Sequence, residues 1–272
     1  MTNALSFIQK IQENGFLPWS AQKDTAERFG LSLSEVEKIA LEIDILPLRY
    51  KRNLSTVTAG EQLKLFNSRV AVVGCGGLGG YIIEEITRLG IGNIVAIDHD
   101  IIEEHNLNRQ LLSNINNMGS HKVDIAFKRV KEINPAVTLT PFKKTFTLAN
   151  GADLLKNCDL AIDALDSIPC KQELANVCKK LEIPLIHGAI AGWYGQIATI
   201  LPADSDFENI YPNCSPDSGI ENRLGNPAFT PALIASLQVA EVCKVLLNKG
   251  ELMSNRKLFI DLLGMEFNNI FF

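Results

Sequence analysis

The chain contains no CxxC pair. Its six cysteines, Cys75, Cys158, Cys170, Cys178, Cys214 and Cys243, are scattered along 272 residues, so neither a disulfide framework nor a tetrathiolate zinc site has its usual spacing. No zinc is expected, and a reducing cytoplasm is the expected setting. Basic charge is also short: 26 Lys and Arg face 31 Asp and Glu, for a formal charge of −5. Binding driven by phosphate neutralisation needs a basic surplus or stripe, so nucleic acid is disfavoured as the main partner. Long apolar runs are missing too. The most apolar stretch, 229–247, is interrupted by Gln238, Glu241 and Lys244 and reads as a buried helix, not a membrane span. The opening MTNALSFIQKIQENG lacks the basic, apolar and small-residue order of a secretion signal. No internal repeat or low-complexity tract is found. What is present, 46% hydrophobic and 21% charged residues, is an ordinary globular balance with enough apolar surface for one large core.

Two regions follow from the patterning. Residues 1–47 hold helical stretches, AQKDTAERFG and SLSEVEKIALEI, with Ser32 or Ser34 as a cap and Val36, Ile39, Ala40 and Ile43 at helical spacing. The pattern superficially resembles a helix-turn-helix, but it carries more acid than base. A small helical appendage closed by Pro47 is the better reading. From 48 to 272 short apolar runs alternate with amphipathic helices. RVAVVG, NIVAID, LAIDAL and PLIHGAI are strand candidates; GGYIIEEITRLG, SHKVDIAFKRVKEIN and PCKQELANVCKKLE are the helices between them. This predicts an α/β fold, a Rossmann-like, doubly wound, mostly parallel sheet. GQIATIL reads as an antiparallel extension, 203–227 as a Pro-, Asn- and Gly-rich crossover-type loop, Thr230–Leu247 as a helix and KLFIDLL as the final strand.

RVAVVG runs into Gly74-Cys75-Gly76-Gly77-Leu78-Gly79, a G-x-G-x-x-G opening a helix. Such glycines let backbone approach a ligand, and the helix N-terminus offers free N–H groups to an anion. Asp98 ends the next strand, where an acid meets a ribose. So far the pattern fits an NAD-linked oxidoreductase as well as any other nucleotide protein. Beyond it lie Asp98-His99-Asp100, Asn106-Leu107-Asn108-Arg109-Gln110, Lys122 at a helix start and Asp163-Ala164-Leu165-Asp166 at a strand end. Strand ends of a wound sheet converge on one crevice. A triphosphate with its divalent metal calls for this many charges, whereas a dinucleotide does not. The four histidines show no metal-ligand spacing and read as structural.

These motifs in order, RYKRN, GCGGLGG, DHD, NLNRQ, the Lys122 helix start, DALDS, HGAIAGWYGQ and SLQVAEVCKVL, resemble those of the ThiF/MoeB/HesA adenylyltransferases, relatives of ubiquitin-activating enzymes. The resemblance runs from about Arg49 to the C-terminus. It implies ATP and Mg²⁺ as cofactors. Gly74, Gly76, Gly77, Gly79, Asp98, Asp100, Asn106, Arg109 and Lys122 would then bind the nucleotide, with Asp98 on the ribose. Asp166 would hold the metal, and Arg109, Lys122, Asp166 and Arg52 would be the catalytic set. Arg52 would reach across a two-fold axis into the partner's site, implying a homodimer. The implied reaction is adenylation of the C-terminal carboxylate of a small ubiquitin-fold sulfur carrier of ThiS or MoaD type ending in Gly-Gly, for thiamine- or molybdopterin-type cofactor synthesis.

The chain departs from that pattern in two places. The zinc-binding CxxC pairs of many relatives are absent, and Glu221 falls where many carry a loop cysteine. Cys214 is the only thiol of that region and the one candidate nucleophile. Adenylation of a peptide, small-molecule or tRNA-base carboxylate stays open as an alternative, as does a non-catalytic nucleotide- or carrier-binding protein.

Overall fold

The computed structural model describes residues 2–203, 207, 210–211 and 224–272. Cys214 and Glu221 therefore lie outside the described residues, as does most of the 203–227 loop.

The N-terminal region is α1 (Thr2–Ile11), β1 (Phe16–Leu17), α2 (Trp19–Phe29), α3 (Leu33–Glu42) and β2 (Leu46–Pro47). Ser32 is the cap of α3: its hydroxyl accepts from Glu35 N while the Glu35 carboxylate accepts from Ser32 N at 2.8 Å. Gly30 ends α2 in the left-handed region, at φ 63°, where a side chain costs energy. Ala4, Ile8, Leu17, Val36, Ile39 and Ala40 bury into a small core of their own. Helix α1 and the short parallel β1–β2 pair were not expected from the sequence. Ala4, Leu5, Ile8 and Ile11 do fall on one helical face and pack into this core, a helical spacing that the sequence analysis did not use.

The remainder begins with a 3₁₀ turn, Leu48–Asn53, and α4 (Ala59–Asn67). Then follow β3 (Arg69–Val73), α5 (Gly77–Leu89), β4 (Asn93–Ile97), α6 (Lys122–Ile133), β5 (Thr138–Phe142) and the short α7 (Gly151–Leu154). The chain continues through β6 (Leu160–Asp163), α8 (Ile168–Leu181), β7 (Leu185–Ala191) and β8 (Tyr194–Ile200) to α9 (Phe229–Leu247), β9 (Arg256–Asp261) and β10 (Glu266–Phe271). Eight strands form one sheet in the order β10-β9-β8-β7-β6-β3-β4-β5. Strands β5 to β7 pair in parallel and β7 through β10 pair antiparallel. The fold is thus Rossmann-like, with the antiparallel extension.

Alternation along β3 shows why both faces are covered. Val70 and Val72 pack with Ile82 of α5, Val123 of α6 and Val239 of α9; Ala71 and Val73 pack with Leu154 of α7 and Leu174 of α8 on the opposite side. Strands covered twice read as unbroken apolar runs. Helix α9 meets the length and hydropathy of a membrane span, yet its polar residues are used inside the protein. Gln238 Nε2 donates to the carbonyls of Asp163 and Ile186 at 2.9 and 3.2 Å, and Glu241 accepts from Thr199 Oγ1 at 2.6 Å.

In the eight-stranded sheet two strands, β5 and β10, were not expected from the sequence. β5 contains Pro141, which argues against a strand except at a sheet edge, and β5 is the edge. KLFIDLL was expected as the last strand, but β9 stops at Asp261. Its Oδ1 accepts from Leu263 N and Gly264 N to turn the chain back into β10.

Candidate active site

The chain order reverses at β3: β4 lies on one side of it and β6 on the other. A crevice opens at the carboxyl ends of these strands, where open α/β sheets bind ligands. It is a cavity of about 400 Å³ into which Gly74, Gly76, Gly77, Asp98, Asp100, Asn106, Arg109, Lys122 and Asp166 all project. Two of the expected residues lie elsewhere, Gly79 and Arg52.

The glycines have distinct jobs. Gly74 takes φ 96°, and a Cβ there would collide with the Ala164 carbonyl of the neighbouring strand end. Gly79 does not line the cavity, a correction to its expected contact with nucleotide. A Cβ there would strike the Gly74 carbonyl, so this glycine lets the first turn of α5 press against the loop. At Gly76 and Gly77 a Cβ would meet only ordinary contacts, the nearest at 3.5 and 3.6 Å. Their missing side chains leave room beside the start of α5, whose N-cap, Gly76, makes no side-chain cap. The amides of that turn are open to an anion. Burial pushes the Cys75 thiol up, with the Asp98 charge adding to it, so this cysteine stays a neutral filler.

Asp98 is buried and held by backbone: Oδ2 accepts from Cys75 N at 2.7 Å and Oδ1 from Asp100 N at 2.8 Å. Each oxygen keeps a lone pair for a hydroxyl. Lys122, the first residue of α6, is buried and pairs with Asp100 at 2.7 Å. Burial opposes the Asp100 charge, but the Lys122 ammonium outweighs it and holds the carboxyl below its ordinary range. Arg109 is different. Its Nη1 donates to the His105 carbonyl and to Asn108 Oδ1 at 3.0 and 2.7 Å, and no acid among the described residues pairs with it. Asn106 fixes that loop, accepting from Glu103 N at 3.0 Å. Asp166 is exposed at the cavity wall, with no hydrogen-bond or ion-pair partner among the described residues.

Two carboxylate sets could attract a cation. Donor atoms of Asp98, His99 and Asp100 lie within 4.8 Å of one another, but backbone amides occupy Asp98 and Lys122 neutralises Asp100. The free, hard-oxygen Asp166 suits Mg²⁺, which takes one or two carboxylates together with phosphate oxygens. Arg52 is exposed on the Leu48–Asn53 turn and is absent from the wall of its own chain's cavity.

Some wall residues carry no sequence signal. Lys144, beyond the end of β5, adds a cation, and Asn226 presents a buried Oδ1 with no partner among the described residues. Asn226 is tied across the cavity through its carbonyl, which accepts from Asn108 Nδ2 at 3.0 Å. Beneath the site lies a charged group around Asp163, to which the sequence assigned no role. Lys171 donates to both Asp163 oxygens at 3.2 Å and to the Gly188 carbonyl at 2.9 Å; His187 Nδ1 stands 2.7 Å from Asp163 Oδ2. Burial alone would raise Asp163, but the Lys171 and His187 contacts prevail and hold it low. Burial pushes His187 down against the pull of Asp163. The tautomer satisfying both ring nitrogens carries its proton on Nδ1 and accepts at Nε2 from Tyr211 Oη, 3.2 Å away. Asp163 also accepts from Leu165 N at 3.0 Å, so this ion pair braces the loop that carries Asp166.

Glycine turn, wound sheet and charged crevice together define a Rossmann-like nucleotide-binding protein. Residues 50–271 match the ThiF family, and the chain belongs to that family as an adenylyltransferase. It is 32% identical to the SAMP-activating enzyme E1 of Haloferax volcanii over 240 residues, 85% of this chain and 88% of the relative. It is 29% identical to the sulfur carrier protein adenylyltransferase of Thermus thermophilus, over 82% of this chain and 86% of that one. The crystal structure of E. coli MccB with MccA-N7isoASN superposes with a TM-score of 0.73 at 20% identity, covering 88% of this chain and 78% of MccB; that likeness is one of fold.

Proposed function

We propose that this protein uses Mg-ATP to adenylate the C-terminal carboxylate of a small ubiquitin-fold sulfur-carrier protein ending in Gly-Gly. The products are an acyl-adenylate and pyrophosphate, and sulfur transfer toward a thiamine- or molybdopterin-type cofactor follows, in a reducing cytoplasm. The observation that carries the reading is the meeting of Arg109, Lys122 and Asp166 in one cavity beside the glycine turn. The names of the SAMP-activating and sulfur-carrier relatives support the substrate class.

The chemistry suits the residues. A chain-terminal carboxyl ionises near pH 3.5, so at neutral pH it is already a nucleophile and needs no general base. The obstacle is charge: an anion approaches a polyanion, and more charge gathers at the α-phosphoryl group and the departing pyrophosphate. Asp98 orients the ribose. Arg109 and Lys122 hold phosphate oxygens, and Asp166 holds Mg²⁺, which supplies positive charge to the phosphates when bound. Arg52 completes the site of a second copy, making the working unit a homodimer.

ATP–pyrophosphate exchange that requires Mg²⁺ and a carrier with a free C-terminus is the expected behaviour. Asp166→Ala and Arg109→Ala are each expected to abolish most of it. Exchange at the parent rate in either variant removes the role assigned to that residue. Exchange indifferent to the carrier but dependent on a free peptide or small acid moves the substrate class.

A further inference from the structure

The helices of residues 2–47 lie outside the family match, which starts at residue 50, yet a buried polar joint fastens them to the catalytic domain. Gln22 of α2, Glu37 of α3, Tyr50 and Asn134 are all at most 1% exposed. Tyr50 Oη donates to Glu37 Oε1 at 2.7 Å and accepts from Asn134 Nδ2 at 2.7 Å. The Arg49 guanidinium donates to Glu37 at 3.2 Å, to Gln22 Oε1 at 2.8 Å and to Asn134 Oδ1. A charge sunk this deep is costly even when paired, and its best-attested return is a defined geometry.

Two members of the joint, Arg49 and Tyr50, belong to the same 3₁₀ turn as Arg52. In that helix type side chains three apart eclipse, so Arg49 and Arg52 leave the turn on one side, and clamping the first directs the second. Asn134 is the C-cap of α6, the helix whose first residue is Lys122. The joint therefore holds the Arg52 turn against the same rigid rod that carries the cavity lysine.

We propose that the N-terminal helical region is a positioning element for Arg52: Glu37, acting through Arg49 and Tyr50, fixes the Leu48–Asn53 turn in the orientation from which Arg52 reaches the triphosphate bound to a second copy. The inference rests on the role given to Arg52 under the proposed function. Glu37, Arg49 and Tyr50 touch no nucleotide themselves; they act only through Arg52.

The test is a double-mutant cycle on ATP–pyrophosphate exchange with the full-length protein, using Tyr50→Phe and Glu37→Gln, alone and each combined with Arg52→Ala. Both substitutions keep shape and volume, and cooperative thermal unfolding confirms a folded enzyme. Each single variant is expected to lower kcat roughly tenfold or more, as misplacing a transition-state contact does, with KM for ATP held within about twofold. In the Arg52→Ala background neither is expected to lower kcat further. Losses that multiply with Arg52→Ala overturn the proposal, because a residue acting elsewhere adds independently. Unchanged kcat in Tyr50→Phe and Glu37→Gln, with Arg52→Ala impaired, overturns it while sparing the role of Arg52. An Arg52→Ala enzyme at the parent rate removes that role and the proposal together.

Discussion

Arg109 and Lys122 are both cations of the cavity, but the fold has prepared them differently. Arg109 has only neutral oxygens for partners, so its charge is available to phosphate. Arg109→Ala is expected to lower kcat of pyrophosphate exchange by about 10²–10³ with an intact fold. Lys122 also neutralises Asp100, so Lys122→Met leaves that carboxylate with only His99 Nε2, 3.1 Å away, beside it and is expected to weaken ATP binding as well as kcat, measurable by titration calorimetry. His187 gives a prediction on pH. Its folded pKa is depressed by burial, while in the unfolded chain it takes a proton below about 6.5. Stability is therefore whole above that value and falls as pH drops below it, because the unfolded state binds the extra proton. Asp163, also held low, loses its share further down, as pH falls below about 3.9. Glu37, raised mainly by burial, works in the opposite sense. Tm is expected to fall between pH 7 and 5 and His187→Asn to flatten that limb; an unaltered slope in the variant assigns the effect elsewhere.

At the scale of elements, Gly77 and Gly79 of helix α5 look alike in the sequence and differ in space. Gly79→Ala sets a methyl group against the Gly74 carbonyl. It is expected to cost about 1–3 kcal/mol and to lower Tm, since backbone cannot yield as a side chain can. Gly77→Ala has its nearest neighbour at 3.6 Å, a Pro231 side-chain atom, and is expected to leave Tm unchanged; equal losses in the two variants contradict this assignment. The parallel strands and their helices were legible because burial on both faces writes continuous apolar runs and amphipathic helices write a 3.6-residue period. β5 and β10 were not. The first is masked by Pro141, and the second, EFNNIF, is exposed along its length, so no burial pattern marks it.

The proposed trans arrangement makes a prediction about the whole molecule. Arg52→Ala and Asp166→Ala are each expected to be strongly impaired alone, with a residual rate that is still measurable. Random reassortment of the two restores about a quarter of the parent exchange rate, because half the dimers are mixed and each has one complete site. No recovery on mixing, with reassortment verified by tagged subunits, places Arg52 in its own chain's site or in none. Read by itself, the amino-acid order determined the fold class and singled out Gly74, Asp98, Arg109, Lys122 and Asp166, which the fold brings to one crevice. These signals are local: a glycine turn after a strand, an acid at a strand end, a lysine at a helix start. Only the tertiary structure decided that Gly79 packs against Gly74, that Lys144 and Asn226 join the wall, and that Asp163, Lys171 and His187 brace the loop of Asp166. It alone also showed Arg49 and Tyr50 joined to Glu37 and Asn134. Those contacts unite side chains separated by up to 85 positions, and no periodicity along a chain reports which distant polar groups will be buried together and must therefore find one another.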